Sequence, residues 1–367
     1  MEETEENLAP LVWGQAEQRA AQGDPAFVRR LGSQLADRHA AALEQARDYQ
    51  RQLAHVIRVL ALTPGRDSLT QLLRLLEDKP HAGTHPFIAS LLAEHQQVPD
   101  LVATVFDRSE WRELDELRAC LFHELLLRGA DTETRGPLRN WTLERPGWHP
   151  LAWLPTHRRD FEAGAKFPRR SVHGSAGGAS SRLPTRGRMD PPTPRSSPPS
   201  ALRDVATADV YETIVAAPQA GDWGACGAWV FQLDQAIAPD RVPALLPTLP
   251  MACVDGLGPT DRFEIAACPM EEIWHLLFVT ASMGGVYGSG VHGAFGRLWA
   301  WRSMAGLSGA AADASAPEVE RQARHSTWFH FEAGAEWFHN EIGSDYGIAA
   351  LSPDRRRIAV LAATDTD

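Results

Sequence analysis

The chain has 367 residues, 44% of them hydrophobic, and a formal net charge of −11. That length leaves room for two domains with sizeable cores, and that charge works against non-specific attachment to nucleic acid or to an anionic membrane. The longest apolar run, Ile273 to Tyr287, is broken by His275 and by Gly284 and Gly285 and falls short of the ~20 residues of a membrane span.

The chain begins MEETEEN, acidic where a secretory signal would be basic and then apolar. Its four cysteines, Cys120, Cys226, Cys253 and Cys268, form no C-x-x-C pair and no zinc-ligand spacing. Reduced, mostly buried thiols in a cytoplasmic protein are the expectation. Basic charge is almost all arginine, with Lys79 and Lys166 the exceptions, which reads as a high-GC coding bias.

Residues 8–162 read as a helical domain with a Trp/Pro-rich end. A first helix over Leu11, Val12 and Ala16 ends near Gly23, and Asp24-Pro25 is a start signal for the next. Apolar residues then recur at helical spacing from Ala26 to Leu62, with Gly32 and the Asp37–His39 cluster as division points. Shorter helical stretches follow at 69–76, 87–92 and 101–106, separated at Lys79-Pro80 and Val98-Pro99-Asp100. Leu114, Leu117, Leu121, Phe122, Leu125 and Leu126 give the clearest amphipathic helix, closed by Gly129. The packing resembles HEAT-type repeats, but no fixed period emerges, so an irregular α-domain is favoured over a solenoid. The run NWTLERPGWHPLAWLP is irregular and apolar; it is expected to pack on a domain, because exposed it would form a sticky patch.

Residues 163–204 are rich in Ser, Gly, Pro and Arg and poor in core formers. Such a segment cannot bury enough apolar area to offset its ordering entropy, so a disordered linker is expected. The surrounding stretch 157–203 carries about +7 of net charge, which suits a solvated tether or one that catches an acidic surface.

Residues 205–367 read as an α+β domain. A helix over 209–217, a strand at 227–233, a short helix at 239–249 and a strand at 262–268 come first. Pro269-Met-Glu-Glu opens a helix, a glycine-rich loop follows, and Phe295 to Leu307 form another helix. The last forty residues concentrate aromatics at Trp328, Phe329, Phe331, Trp337, Phe338 and Tyr346, then place two apolar runs around the polar turn SPDRRR. That pattern is a β-hairpin signal, so a small antiparallel sheet ending in a hairpin is expected.

Three motifs bear on chemistry. The loop GGVYGSGVHGAFGR at 284–297 contains Gly288-x-Gly290-x-x-Gly293 before a helix, and its amides with His292 and Arg297 are the candidate ligand-binding residues. No strand precedes it and no Gly-Lys-Ser/Thr follows, so neither dinucleotide nor P-loop chemistry is supported. The structural alternative is a tight helix–helix connection. His325, His330 and His339 lie near Glu332, Glu336, Glu341 and Asp345, but without i, i+4 spacing or H-E-x-x-H, so no metal site is assigned. Ser289 beside His292 lacks the G-x-S-x-G elbow, so no catalytic residue is assigned either.

Trp328-Phe329, Trp337-Phe338, Gly347-IAAL and Leu361-AATDTD, with HPLAWLP at 149–155 and AFGRLWAWRSMAGL at 294–307, resemble an actinobacterial family, domain of unknown function 6183. The resemblance covers most of the chain outside the linker. It implies a bacterial cytoplasmic protein and brings no catalytic motif. The resulting expectation is a non-catalytic interaction or regulatory protein with a protein partner and no cofactor, nucleic acid or membrane. The alternative is an enzyme or small-ligand binder at the glycine loop.

Overall fold

A computed structural model describes residues 7–41, 46–80, 84–106, 114–132, 136–145, 147–176, 188–189, 202–258, 261–285, 288–338 and 345–365. The chain divides into two compact units, Met1–Ala152 with Pro168–Gly177, and Trp153–Phe167 with Gly178–Asp367.

The first unit is built from α1 (Ala9–Ala21), α2 (Pro25–Ala41), α3 (Ala46–Leu62), α4 (Arg66–Asp78), α5 (His85–His95) and α6 (Val98–Leu101), which runs on as a π-helical turn to Phe106. It continues with α7 (Asp115–Leu127) and α8 (Gly136–Glu144). Helix α3 buries Leu53, Val56, Ile57 and Leu60, and α4 buries Leu69, Leu72, Leu73 and Leu76. Spacings of three and four put each set on one face. Each such side chain contributes about 1.5–3 kcal/mol on burial.

Two expectations change here. Helix α2 runs through Gly32 and Asp37–His39 without dividing. A Cβ on Gly32 would lie 2.8 Å from Leu75 Cδ2 and 3.1 Å from Val56 Cγ1, so this glycine lets α3 and α4 approach closely and does not stop the helix. Helix α7 is buried all round from Leu117 to Leu127, where an amphipathic helix was expected. Its polar groups are satisfied inside the unit: Arg118 Nε donates to Val105 O at 3.0 Å, and Glu124 pairs with Arg128. Buried Gln96 ties off the end of α3, donating to Ala61 O and Thr63 O at 2.8 Å each.

The expected linker, 163–204, contains a hairpin of β1 (Arg169–Ser171) and β2 (Gly174–Ala176) that belongs to the first unit. It also contains β3 (Arg188–Met189) and β4 (Leu202–Asp204). The remainder of that expectation, 177–187 and 190–201, lies outside the described residues.

The second unit carries α9 (Ala208–Ile214), α10 (Ala216–Ala220), β5 (Ala225–Leu233), α11 (Val242–Leu245), β6 (Phe263–Cys268), α12 (Met270–Met283) and α13 (His292–Ser308). Helix α14 (Ala316–His325) and strands β7 (Thr327–Ala333), β8 (Tyr346–Leu351) and β9 (Arg357–Thr364) complete it. The seven-stranded sheet is antiparallel throughout, in the order β3-β6-β7-β8-β9-β5-β4. The fold is therefore α+β, and the expected hairpin is β8–β9. Strand β9 is internal to the sheet, with Leu361 opposite both Ala228 and Ile348. The edges β3 and β4 are short, and β4 carries Arg203 and Asp204, which discourages further strand addition there.

Side chains alternate across the sheet. One face joins Phe231, Phe329, Phe331, Leu351, Ile358 and Val360 in a core with α11 and the chain after it. The opposite face, with Trp328, His330, Ile348, Ala359 and Leu361, meets α12 and α13. Arg357 reaches the end of α13 and donates to Gly306 O and Leu307 O at 2.9 Å each, satisfying carbonyls that a helix terminus leaves open. Helix α14 was not anticipated. Its start is a capping box in which Ser315 N–H donates to Glu318 Oε2 at 2.8 Å.

Candidate functional site

The glycine loop joins α12 to α13, so the element before it is a helix and not a strand. Gly284 and Gly290 have φ of 81° and 61°, the left-handed region that glycine enters without strain. The loop is folded back on the protein. Gly285 N–H donates to Gly221 O at 3.0 Å, Gly288 N–H to Gly285 O at 3.1 Å, and Val291 N–H to Ala281 O at 2.9 Å. Amides bonded in this way are not free to cradle a phosphate. A Cβ on Gly290 would overlap the Ser282 carbonyl, and one on Gly285 would lie 2.6 Å from Asp365 Oδ1. The surroundings are acidic: Asp365 is buried, its N–H donates to Asp345 Oδ1 at 3.3 Å, and Asp222 adjoins Gly288. That field disfavours an anion. Val286 and Tyr287 lie outside the described residues.

The other candidates do not all point to one place. His292 is half-buried at the start of α13, with φ of 62°, and Gly293 is buried behind it. Arg297, one turn further, is fully buried and faces the segment 155–162. Its Nε and Nη2 donate to Glu162 at 2.7 and 2.8 Å, and Nη1 donates to Pro155 O at 2.9 Å. Glu162, also fully buried, accepts from Trp301 Nε1 at 2.7 Å and from Arg159 N–H at 2.8 Å. A guanidinium and a carboxylate engaged on both edges form a fixed structural pair. Phe161 packs on Trp274 and Trp301 beside it, at centroid distances of 6.1 and 5.4 Å.

The histidine group is dispersed. His330 is buried on β7, its Nε2 without a hydrogen-bond partner, and burial pushes its pKa down to about 4, so the ring is neutral. His325 is exposed at the end of α14 and donates from Nδ1 to Arg321 O at 2.7 Å. Glu332 pairs with Arg262 at 2.8 Å. His339 and Glu341 lie outside the described residues. Among the described residues, the group of three ligand-type side chains within reach of one ion is Glu17, His55 and His173 in the helical unit. Sequence spacing gives no sign of it.

The Trp/Pro-rich run packs only in part. Trp141 lies on Phe106 and Phe122, and Trp153 meets Trp301 edge-on at 6.2 Å. Leu143 and Trp148, however, are 77% and 75% exposed. No helix among the described residues is long and apolar enough to cross a membrane.

A family model described as a family of unknown function, DUF6183, matches residues 11–367, in agreement with the resemblance read from the tail and the 294–307 helix. No curated protein and no solved structure matches the chain.

Proposed function

Given that the chain belongs to this family of unknown function, we propose that it is a non-catalytic interaction protein of the bacterial cytoplasm, and that it binds a protein partner through the surface around Leu143 and Trp148. The observation that carries the reading is the exposure of these two side chains, which exceeds that of every other large apolar side chain among the described residues. An exposed tryptophan and an exposed leucine close together in the chain are the residue types that interface anchors are built from. The net charge of −11 favours a protein over a nucleic acid or anionic membrane as partner. The bonded amide of Gly288 and the engaged Arg297 weigh against the alternative of a ligand site there.

The test is affinity capture with the wild-type chain and with a Trp148→Ala, Leu143→Ala variant, followed by measured affinity for the partner recovered. Both positions are exposed, so the variant should keep its melting temperature. Loss of an anchor should weaken binding by about 2 kcal/mol, roughly thirtyfold. Equal affinity for wild type and variant would sink the assignment of this surface. Stabilisation by a nucleotide or phosphate, abolished by Gly290→Ala at the loop, would favour the ligand-binding alternative.

A further inference from the structure

The helical unit holds a cluster that the reading above does not use. His55, on α3, is 1% exposed, and Glu17, on α1, lies beside it with its side chain 43% exposed. His173 is exposed at the turn between β1 and β2. Glu17 Oε1 lies 3.7 Å from His55 Nε2 and 3.9 Å from His173 Nε2, and the ligand atoms of the three residues all fall within 4.8 Å of one another. Ligand atoms around a tetrahedral zinc are about 3.3 Å apart, as Zn–N and Zn–O bonds of about 2.0–2.2 Å require. Small side-chain rotations close the gap.

The two nitrogens of His55 are in different situations. Nδ1 lies 3.3 Å from the Val172 carbonyl, which can only accept, so Nδ1 carries the proton and donates. That leaves a lone pair on Nε2. This atom is buried and has no hydrogen-bond partner, yet it points to the Glu17 carboxylate. A ring held through one nitrogen by a backbone carbonyl, with the other nitrogen bare, is the usual arrangement of a metal-binding histidine. Trp13 packs on His55 at a centroid distance of 4.5 Å and covers one side of the cluster.

We propose that Glu17, His55 and His173 bind a zinc-class divalent cation, which staples the β1–β2 hairpin to α1 and α3 and leaves one coordination position to water. Two imidazoles and one carboxylate suit zinc, and they do not suit calcium or magnesium, which take all-oxygen sets.

The test uses the full chain stripped with a chelator and titrated calorimetrically with Zn2+, with Mg2+ and Ca2+ as controls. His173→Ala and Glu17→Gln are the variants, because both residues reach solvent and neither is part of the core. One Zn2+ per chain should bind to wild type, weakened roughly a hundredfold or more in each variant, with Trp13 fluorescence changing on binding. Co2+ should give the intense visible spectrum of a four-coordinate site in wild type and lose it in both variants. Zinc should also slow proteolysis within 168–177 in wild type alone. Absence of Zn2+ binding, equal binding by wild type and both variants, or tighter binding of Mg2+ or Ca2+ would each overturn the assignment.

Discussion

Replacing Glu162 by Gln removes the negative charge from a fully buried pair and keeps the shape. Arg297 is then left charged in the interior with the carbonyls of Pro155 and His157 accepting from it at 2.9 and 3.3 Å. Breaking a buried pair from one side costs about 3–5 kcal/mol, and those carbonyls place this case near the lower figure. For a unit of this size about 3 kcal/mol lowers the melting temperature by roughly 10 °C. Adding Arg297→Met to Glu162→Gln should recover part of the loss, because no charge is then stranded, while the amide's one oxygen keeps only one of the two hydrogen bonds that Trp301 and Arg159 make to separate carboxylate oxygens. Hydrogen exchange read on peptides from 153–167 and 292–308 isolates the second unit from the first. Protection there should fall roughly a hundredfold in the single variant and recover in part in the double. A single variant that loses less than about 1 kcal/mol, or a double variant no better than the single, would refute the pairing argument.

Two further outcomes follow from the sheet. His330 is neutral in the folded protein with a pKa of about 4, against about 6.5 unfolded, so the unfolded state takes up the proton first as pH falls. Its stabilising contribution is complete above pH 6.5 and is lost down to about pH 4, on the order of 3 kcal/mol in all. Urea titrations at several pH values should show a flatter pH dependence in His330→Leu; an unchanged slope would count against the buried neutral ring. Removing residues 361–367 deletes buried Leu361 to Thr364 and half of an internal strand, which should cost more than about 4 kcal/mol. Removing residues 1–7 takes away the exposed hydrogen bond from Ala9 N–H to Asn7 and should cost less than about 1 kcal/mol. Similar melting temperatures for the two truncations would contradict the strand order.

The hairpin, α12 and α13 were legible because each carries its signal locally: alternating apolar runs about SPDRRR, and Pro269 with two acids at a helix start. Helix α14 was missed because its small-residue approach hides Ser315 and Glu318, although those two residues were sufficient to mark it. Strands β3 and β4 have no apolar pattern at all; they exist because β6 and β5 offer open edges. Arg297 looked like a ligand residue beside the glycines, and only the fold brings it to Glu162, 135 positions away. Glu17, His55 and His173 are likewise joined only in space, through a hairpin in a segment whose composition suggested no order.

The internal position of β9 also bears on how the second unit is made. Strand β5 emerges from the ribosome with short β4 as its sole neighbour, and its long partner arrives more than a hundred residues later. In that interval Ala228, Val230 and Phe231 have an unpaired edge beside them, the kind of surface that aggregates or recruits a chaperone. Synthesis of this protein should therefore be most vulnerable to stalling or premature release just before residue 357, when the helices are complete and the sheet is still in two halves.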